Sequence, residues 1–458
     1  MKNVNRRTFL KAAALTLASS TVGCSTLSSV GKSRKWNIIY ILADDLGWAE
    51  LGCYGNTFNE TPNLDKLSRE GMLFTDAYAA APVCSPYRAA LMTGQYPARV
   101  GITDYLRSDS QKHLSLDHVT MAEMLRSAGY VTGMTGKWHL SGYKSRGVKE
   151  ETLPDQHGFD EVMISEKTGI GGGSYFHPYK KVDAAIPKKL SGETEYLTDR
   201  LNVEAVEFIG RHKDEPFFLY KSHYAVHTTL NGRPDLVKYF EAKSGAGKGK
   251  RAKKNNPHLA AQLKVIDDGV GMIMDKLAAL GIADRTIVIF TSDNGGESRV
   301  TSNAPLRAGK STTYEGGIRE PLIVKWPGRV SPGMRCSQAT MNIDFYPTFA
   351  EIVGARIDPA QHIDGVSIVP LLQGRGIDRD TLYWHYPLEK PHFLGGRSSG
   401  AIRKGRWKLI EFFDDGHVEL YNLAEDIAEK YDLSQRHPEK VADLKTRLSK
   451  WRRDVGLQ

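Results

Sequence analysis

Between Pro82 and Gly94 the chain reads Pro-Val-Cys-Ser-Pro-Tyr-Arg-Ala-Ala-Leu-Met-Thr-Gly, which sets a reactive sulfur, Cys84, at the start of a short helix. Ser85 is a good N-cap, Pro86 is preorganised for the first helical position, and Gly94 can end the helix. Free N–H groups at a helix start favour an anion. Arg88 follows one turn later, so its guanidinium can reach the same face. A sulfur nucleophile beside an anion-holding site follows from these types; a buried structural thiol is the alternative they also permit. Asp44-Asp45 and Asp293-Asn294 offer hard oxygen donors without His or Cys among them, a set that suits Ca²⁺ or Mg²⁺ rather than zinc. A helix cap at Asp45 and a plain turn at Asp293-Asn294-Gly295 are the structural alternatives. Lys137 and His139 stand two apart and share a side if their segment is extended.

Such residues need a frame that makes them converge. Residues 36–43 form a continuous apolar run suited to a buried parallel strand, and it ends in Asp44-Asp45. A helix is predicted over 120–129, then a strand over 130–135 that runs into Gly136-Lys137-Trp138-His139. Residues 140–190 read as loop. A helix over 196–212 precedes an apolar strand over 216–223, which leads to Tyr224-Ala225-Val226-His227. The basic stretch 243–256 reads as mobile. A long helix over 259–280 is followed by a strand over 286–291 that ends at Ser292-Asp293-Asn294. Alternating strands and helices predict an α/β fold with a large, mainly parallel sheet flanked by helices, whose sites lie beyond the strands' carboxyl ends. Each polar cluster falls at such an end. After about residue 375, short strands over 381–386, 400–410 and 418–423 and a helix over 438–452 predict a smaller antiparallel subdomain. The domain division is therefore 36–375 and 376–458, after a separate leader over 1–30.

That leader carries Arg6-Arg7-Thr8-Phe9-Leu10-Lys11 and an apolar run over 12–18, too short to span a bilayer. It resembles a twin-arginine export signal, implying a periplasmic or cell-envelope location. Val22-Gly23-Cys24-Ser25 is similar to a lipoprotein cleavage site, with Thr21 where Leu is usual, so a lipid anchor at Cys24 and plain cleavage both stand. The net charge of +9 is not evidence for nucleic acid. Lys2, Arg6, Arg7 and Lys11 supply +4 and the run from Lys243 to Lys254 supplies +6, which leaves −1 for the rest. Of four cysteines, only Cys53 and Cys336 lie outside the leader and the reactive stretch, so no disulfide framework is expected.

Cys84-x-Pro86-x-Arg88 with Ala-Ala-Leu-Met-Thr-Gly resembles the signature of the formylglycine-dependent sulfatases, arylsulfatase-like members of the alkaline phosphatase superfamily. Tyr87 stands where many members carry Ser or Thr. Gly-Lys137-Trp-His139, Tyr224 to Thr228 around His227, and Lys310 ahead of Tyr314-Glu-Gly-Gly-Ile-Arg319 match further family motifs. The resemblance spans residues 36–450. It implies a sulfuric ester hydrolase in which Cys84 is oxidised to formylglycine by a formylglycine-generating partner enzyme. It implies one Ca²⁺, with Mg²⁺ as second choice, on Asp44, Asp45, Asp293 and Asn294 beside residue 84. Lys137, Lys310 and Arg88 hold the sulfate, a protonated His227 donates to the leaving oxygen, and His139 deprotonates the second hydroxyl of the hydrated aldehyde.

A sulfated glycan is the expected substrate, as for bacterial relatives of this layout that desulfate polysaccharides. His177, His385 and Arg397 are candidates for binding sugar hydroxyls, with a packed aromatic cluster and a loop charge as the alternative. Two competitors remain: a phosphonate or phosphate ester hydrolase of the same superfamily, and a sulfated-glycan-binding protein whose Cys84 is never oxidised.

Overall fold

The computed structural model describes residues 35–167, 175–180, 182, 186–192 and 194–457. The leader over 1–30, with Arg6, Arg7 and Cys24, lies outside the described residues. Nine strands build the larger sheet: β1 (Asn37–Ala43), β2 (Met72–Tyr78), β3 (Val131–Gly136), β4 (Glu161–Ile164), β5 (Phe217–Ser222), β6 (Thr286–Ser292), β7 (Arg319–Lys325), β8 (Met334–Cys336) and β9 (Thr340–Met341). Their order is β4-β3-β5-β1-β6-β7-β2-β8, with β9 also beside β2. Only β7 runs antiparallel to its neighbours, β6 and β2. The mainly parallel α/β sheet is as expected from sequence. β2 and β7 themselves, with their mixed polar and apolar residues, give no comparable sequence signal.

β1 is apolar from Ile38 to Ala43 because both its faces are covered. Ile38, Tyr40 and Leu42 pack with Leu91 of the helix Cys84–Thr93, Leu125 of Met121–Ser127 and Phe349 of Phe345–Val353. Ile39, Ile41 and Ala43 meet Leu64 of Pro62–Glu70, Phe208 of Leu197–Arg211 and Val270 of Pro257–Ala279. Thr120 caps its helix in a reciprocal box with Glu123. Gly94 ends the Cys84 helix at φ +69, as expected. Ser85, however, is not the cap. The helix begins at Cys84 after an extended Val83, and the Ser85 hydroxyl accepts from the Leu106 amide at 2.9 Å. The basic stretch expected to be mobile is folded. Lys243 donates to the Phe58 carbonyl at 2.6 Å, Gly247 pairs with Asn255, and Asn256 caps the following helix.

A second sheet follows: β10 (Thr381–Tyr386), β11 (Ser399–Lys404), β12 (Trp407–Phe412) and β13 (Val418–Asn422), all antiparallel, with the helix Pro438–Asp454 against it. The single strand expected over 400–410 is two, turning at Gly405. Residues 36–458 form one compact unit. Buried charge joins its two sheets. Lys408 on β12 has no exposed side chain and holds Glu315 at 2.8 Å and Glu429 at 2.9 Å. Arg319 on β7 reaches Glu315 and Asp76, and Arg403 on β11 also pairs with Asp76. Burial pushes the Glu429 carboxyl up to about 7 against the pull of Lys408.

Removing Lys408 leaves two buried carboxylates short of a cation. Lys408→Met is expected to cost roughly 3–5 kcal/mol of stability in urea unfolding. The loss should be smaller in acid, where the carboxyls protonate. A change below about 1 kcal/mol would show that the network is not what joins the sheets.

Candidate active site

Six chain segments meet at one edge of the large sheet. Asp44 and Asp45 follow β1, Lys137 and His139 follow β3, His227 lies past β5, and Asp293 and Asn294 follow β6. Cys84 opens the helix after β2, and Lys310 sits in the loop that enters the antiparallel β7 at the same edge. Gly136 turns the chain out of β3 at φ +105, where a Cβ would stand 1.7 Å from the Ser222 carbonyl oxygen. No other residue fits there, and Lys137 follows directly. Asp45 and His139 hold left-handed backbones at φ +60 and +55, which are strained for side-chain-bearing residues. Each is tied down: the Asp45 amide donates to Asp293 Oδ1 at 3.1 Å, and the His139 amide to Glu166 Oε1 at 2.5 Å. The turn at His139 interrupts the extended segment that the Lys137–His139 spacing assumed.

The charged groups are buried and interlock. Lys137 Nζ lies 2.6 Å from Asp44 Oδ2, Lys310 Nζ 2.7 Å from Asp45, and Arg88 Nη2 2.7 Å from Asp293 Oδ2. Arg88 Nη1 donates to the Lys137 carbonyl at 2.8 Å and to Ser222 Oγ at 2.5 Å. Both terminal nitrogens of the guanidinium are thus taken up by the frame, while Nε is buried without a partner, and Arg88 positions Asp293 and Lys137. Asp44, Asp45, Cys84 and Asp293 each present a donor atom, and these atoms lie within 4.8 Å of one another. Asp44 Oδ1 and Asn294 Oδ1 are buried without a hydrogen-bond donor, while Asn294 Nδ2 is spent on Asp45 at 2.8 Å. Orphaned hard oxygens among three carboxylates fit a divalent cation. Burial, reinforced by Asp293, pushes the Asp44 carboxyl up against the pull of Lys137, whereas Lys310, with Lys137, outweighs burial at Asp45 and lowers it.

Cys84 Sγ lies 3.7 Å from Lys310 Nζ. Burial nevertheless pushes its thiol up to about 12 against Lys137 and Lys310. The helix start does not make a thiolate, because desolvation exceeds the attraction of the surrounding cations. His139 Nε2 meets the Leu106 carbonyl at 2.8 Å, so that nitrogen carries the proton and the unpartnered Nδ1 holds the lone pair. His227 Nδ1 contacts the Thr228 carbonyl at 2.5 Å, leaving Nε2 3.6 Å from Asp45 Oδ2. Burial and Lys310 lower His227 to about 3, and burial and Lys137 lower His139 well below the usual imidazole range. Both imidazoles are neutral in the absence of an added anion.

All ten residues from Asp44 to Lys310 that the motifs singled out are brought together. His177, His385 and Arg397 are not tied to them by any contact among the described residues. His177 Nε2 meets the Ile186 carbonyl at 3.1 Å, and His385 packs its ring on Phe413 at 5.4 Å. Arg397 is held by Asp414 and Asp415 at 2.6 and 2.8 Å, which leaves its guanidinium engaged. Sequence reasoning missed Glu166, whose two oxygens accept the Trp138 and His139 amides. It lies in a loop with no spacing signal. It also missed Ser222, the last residue of an otherwise ordinary strand, and His392 in the β10–β11 connection.

A mainly parallel sheet with a cation-competent carboxylate cluster and lysines at its strand ends defines an alkaline-phosphatase-like enzyme. The sulfatase family matches residues 36–355, and the family described as "N-sulphoglucosamine sulphohydrolase, C-terminal" matches residues 309–454. The chain is 34% identical to arylsulfatase A of Homo sapiens over 88% of this chain and 84% of that one. It is 32% identical to a sulfatase of Formosa agariphila over 96% and 92%. The crystal structure of Ps i-CgsB in complex with k-i-k-neocarrahexaose superimposes with a TM-score of 0.79 at 33% identity, covering 91% of this chain and 93% of that one. The protein belongs to the sulfatase family and is a sulfuric ester hydrolase.

Glu166→Ala strands two buried amides and frees the His139 backbone. It is expected to cost roughly 2–4 kcal/mol of stability, since a hydrogen bond to a charged group contributes about 1.5–3. Turnover of nitrophenyl sulfate should fall with little change in KM, and Glu166→Gln should restore part of it. Unchanged stability and turnover in Glu166→Ala would remove Glu166 from the site's support.

Proposed function

We propose that this enzyme removes sulfate from a carbohydrate, using formylglycine made from Cys84 and one Ca²⁺ held by Asp44, Asp45, Asp293 and Asn294. The observation that carries the reading is the position of Cys84 Sγ, 3.7 Å from Lys310 Nζ and within 4.8 Å of the donor oxygens of three aspartates. A buried thiol raised to about 12 is a poor nucleophile as it stands, which supports conversion of the residue by a formylglycine-generating enzyme. When present, the hydrated aldehyde supplies a hydroxyl nucleophile and the cation offsets the negative charge of the sulfate. The likeness to a protein solved with k-i-k-neocarrahexaose supports a sulfated glycan as substrate.

The chain's own groups divide the remaining work. Lys137 and Lys310, both kept protonated by their aspartates, offer positive charge to the ester's sulfate oxygens. Arg88 fixes Asp293 and the Lys137 backbone. His227 Nε2 is the proton donor for the leaving oxygen; a bound anionic ester raises its affinity for a proton above that of the empty site. His139 Nδ1, its tautomer fixed by Leu106, accepts a proton on the nucleophile's side.

Mass spectrometry of the peptide containing residue 84, from cells with a maturing enzyme, should find the aldehyde. Cys84→Ala and Cys84→Ser should both be nearly inactive. Full activity of a chain carrying only the thiol would sink the mechanism.

A sugar alkoxide is strongly basic and needs a proton as it leaves, whereas nitrophenolate does not. General acid catalysis contributes roughly 10²–10⁴-fold, so His227→Ala should lose far more rate on a sugar sulfate than on nitrophenyl sulfate. Equal losses on both would leave His227 as a sulfate-holding group only.

We further propose export by the twin-arginine route to the periplasm or envelope, followed by lipidation at Cys24 or plain cleavage nearby, on the leader sequence alone. Replacing Arg6 and Arg7 with Lys should retain the protein in the cytoplasm; undisturbed export would identify a general secretory signal.

A further inference from the structure

A cavity of about 760 Å³ lies between the segment 102–112 and the β10–β11 connection, within the roughly 300–1,000 Å³ of small-molecule sites. One of its walls is hydrogen-bonded to the catalytic cluster and the other packs against the neighbour of Lys310. On one side Leu106 donates its amide to Ser85 Oγ at 2.9 Å and accepts from His139 Nε2 at 2.8 Å. On the other, Gly396 lies so close to Ser311, the neighbour of Lys310, that a Cβ would stand 1.8 Å from the Ser311 carbonyl oxygen. The Gly396 carbonyl in turn accepts the His392 amide at 2.7 Å.

The lining has the chemistry of a charged sugar. Tyr105 meets His392 edge-on at 5.7 Å, and the Arg107 guanidinium lies 4.7 Å over the Tyr105 ring. Stacking fixes the arginine while leaving its donors free, and a fixed guanidinium suits a planar or tetrahedral oxyanion. No ion pair engages Arg107, Lys112 or Lys390 among the described residues, whereas Arg397, further along the chain from Lys390, pairs with Asp414 and Asp415. Asp104 and Glu389 are the carboxylates of the lining, and Asp104 is partly spent on the Tyr105 amide.

We propose that this cavity is a subsite for the sugar next to the one that carries the scissile sulfate, and that Arg107, stacked on Tyr105, reads a second anionic group, a sulfate or carboxylate, on that neighbour. The inference rests on the carbohydrate-sulfatase reading above. It makes the enzyme selective for an oligosaccharide with charge on adjacent residues over a singly sulfated monosaccharide.

The test separates binding from hydrolysis. Cys84→Ala protein is applied to an immobilised panel of sulfated mono- and oligosaccharides. It should prefer oligosaccharides with charge on adjacent sugars, and adding Arg107→Ala or Tyr105→Ala should reduce that preference at least tenfold. In the matured enzyme, Arg107→Ala should lower the ratio of kcat/KM on the best-bound oligosaccharide to that on nitrophenyl sulfate, chiefly through KM. Equal losses on both substrates, a preference for monosaccharides, or no oligosaccharide bound would overturn the subsite. Selective oligosaccharide binding without hydrolysis by the matured enzyme would instead overturn the catalytic reading and leave the subsite standing.

Discussion

Charge compensation away from water is the constraint on which this structure depends. Asp44, Asp45 and Asp293 are buried beside Arg88, Lys137 and Lys310, and each carboxylate has a cation within 2.7 Å. Desolvating an isolated ion costs several kcal/mol, so no member of this set tolerates burial without its partner. The partners come from three separate strand ends, a helix and a loop. The sheet must therefore hold its register for the charges to balance, and the strained backbones at Asp45 and His139 persist because neighbouring carboxylates grip their amides.

The same desolvation decides the character of residue 84. Helix dipole and lysines favour an anion there, yet burial wins and the thiol stays protonated. A site built to hold an external anion need not ionise its own side chain, and a neutral residue 84 leaves the lysines' positive field for the ligand. The two imidazoles follow the same logic. Their neutrality reflects burial among cations, and an arriving negative charge reverses the sign of the field they feel.

The smaller sheet is fastened by a second buried network, through Lys408, Glu315, Glu429, Arg319, Arg403 and Asp76. Trp384 adds an indole N–H to the Ala79 carbonyl at 2.7 Å, just upstream of Cys84. Fixing β10 and β11 fixes the connection between them, which carries His392 against Tyr105 in the cavity beside the site. Electrostatics thus serves twice, once to assemble the cluster and once to set the wall beside it.

By itself the sequence determined the parallel core and the ten residues at its edge. Apolar runs such as 36–43 are unambiguous when both faces are buried, and the Cys84, Lys137, His227 and Lys310 motifs are local strings of residues. β2 and β7 escaped because their polar residues, Asp76 and Arg319 among them, are satisfied by partners far along the chain. Burial of a charge depends on what arrives from elsewhere, and no local pattern records that. For the same reason Glu166 and Ser222 were invisible, the Cys84 thiol's protonation could not be read from its helix position, and Arg397 could not be recognised as already paired. Residue types fix which groups can ionise or ligate; only the tertiary structure fixes how much water and which opposite charges each one meets.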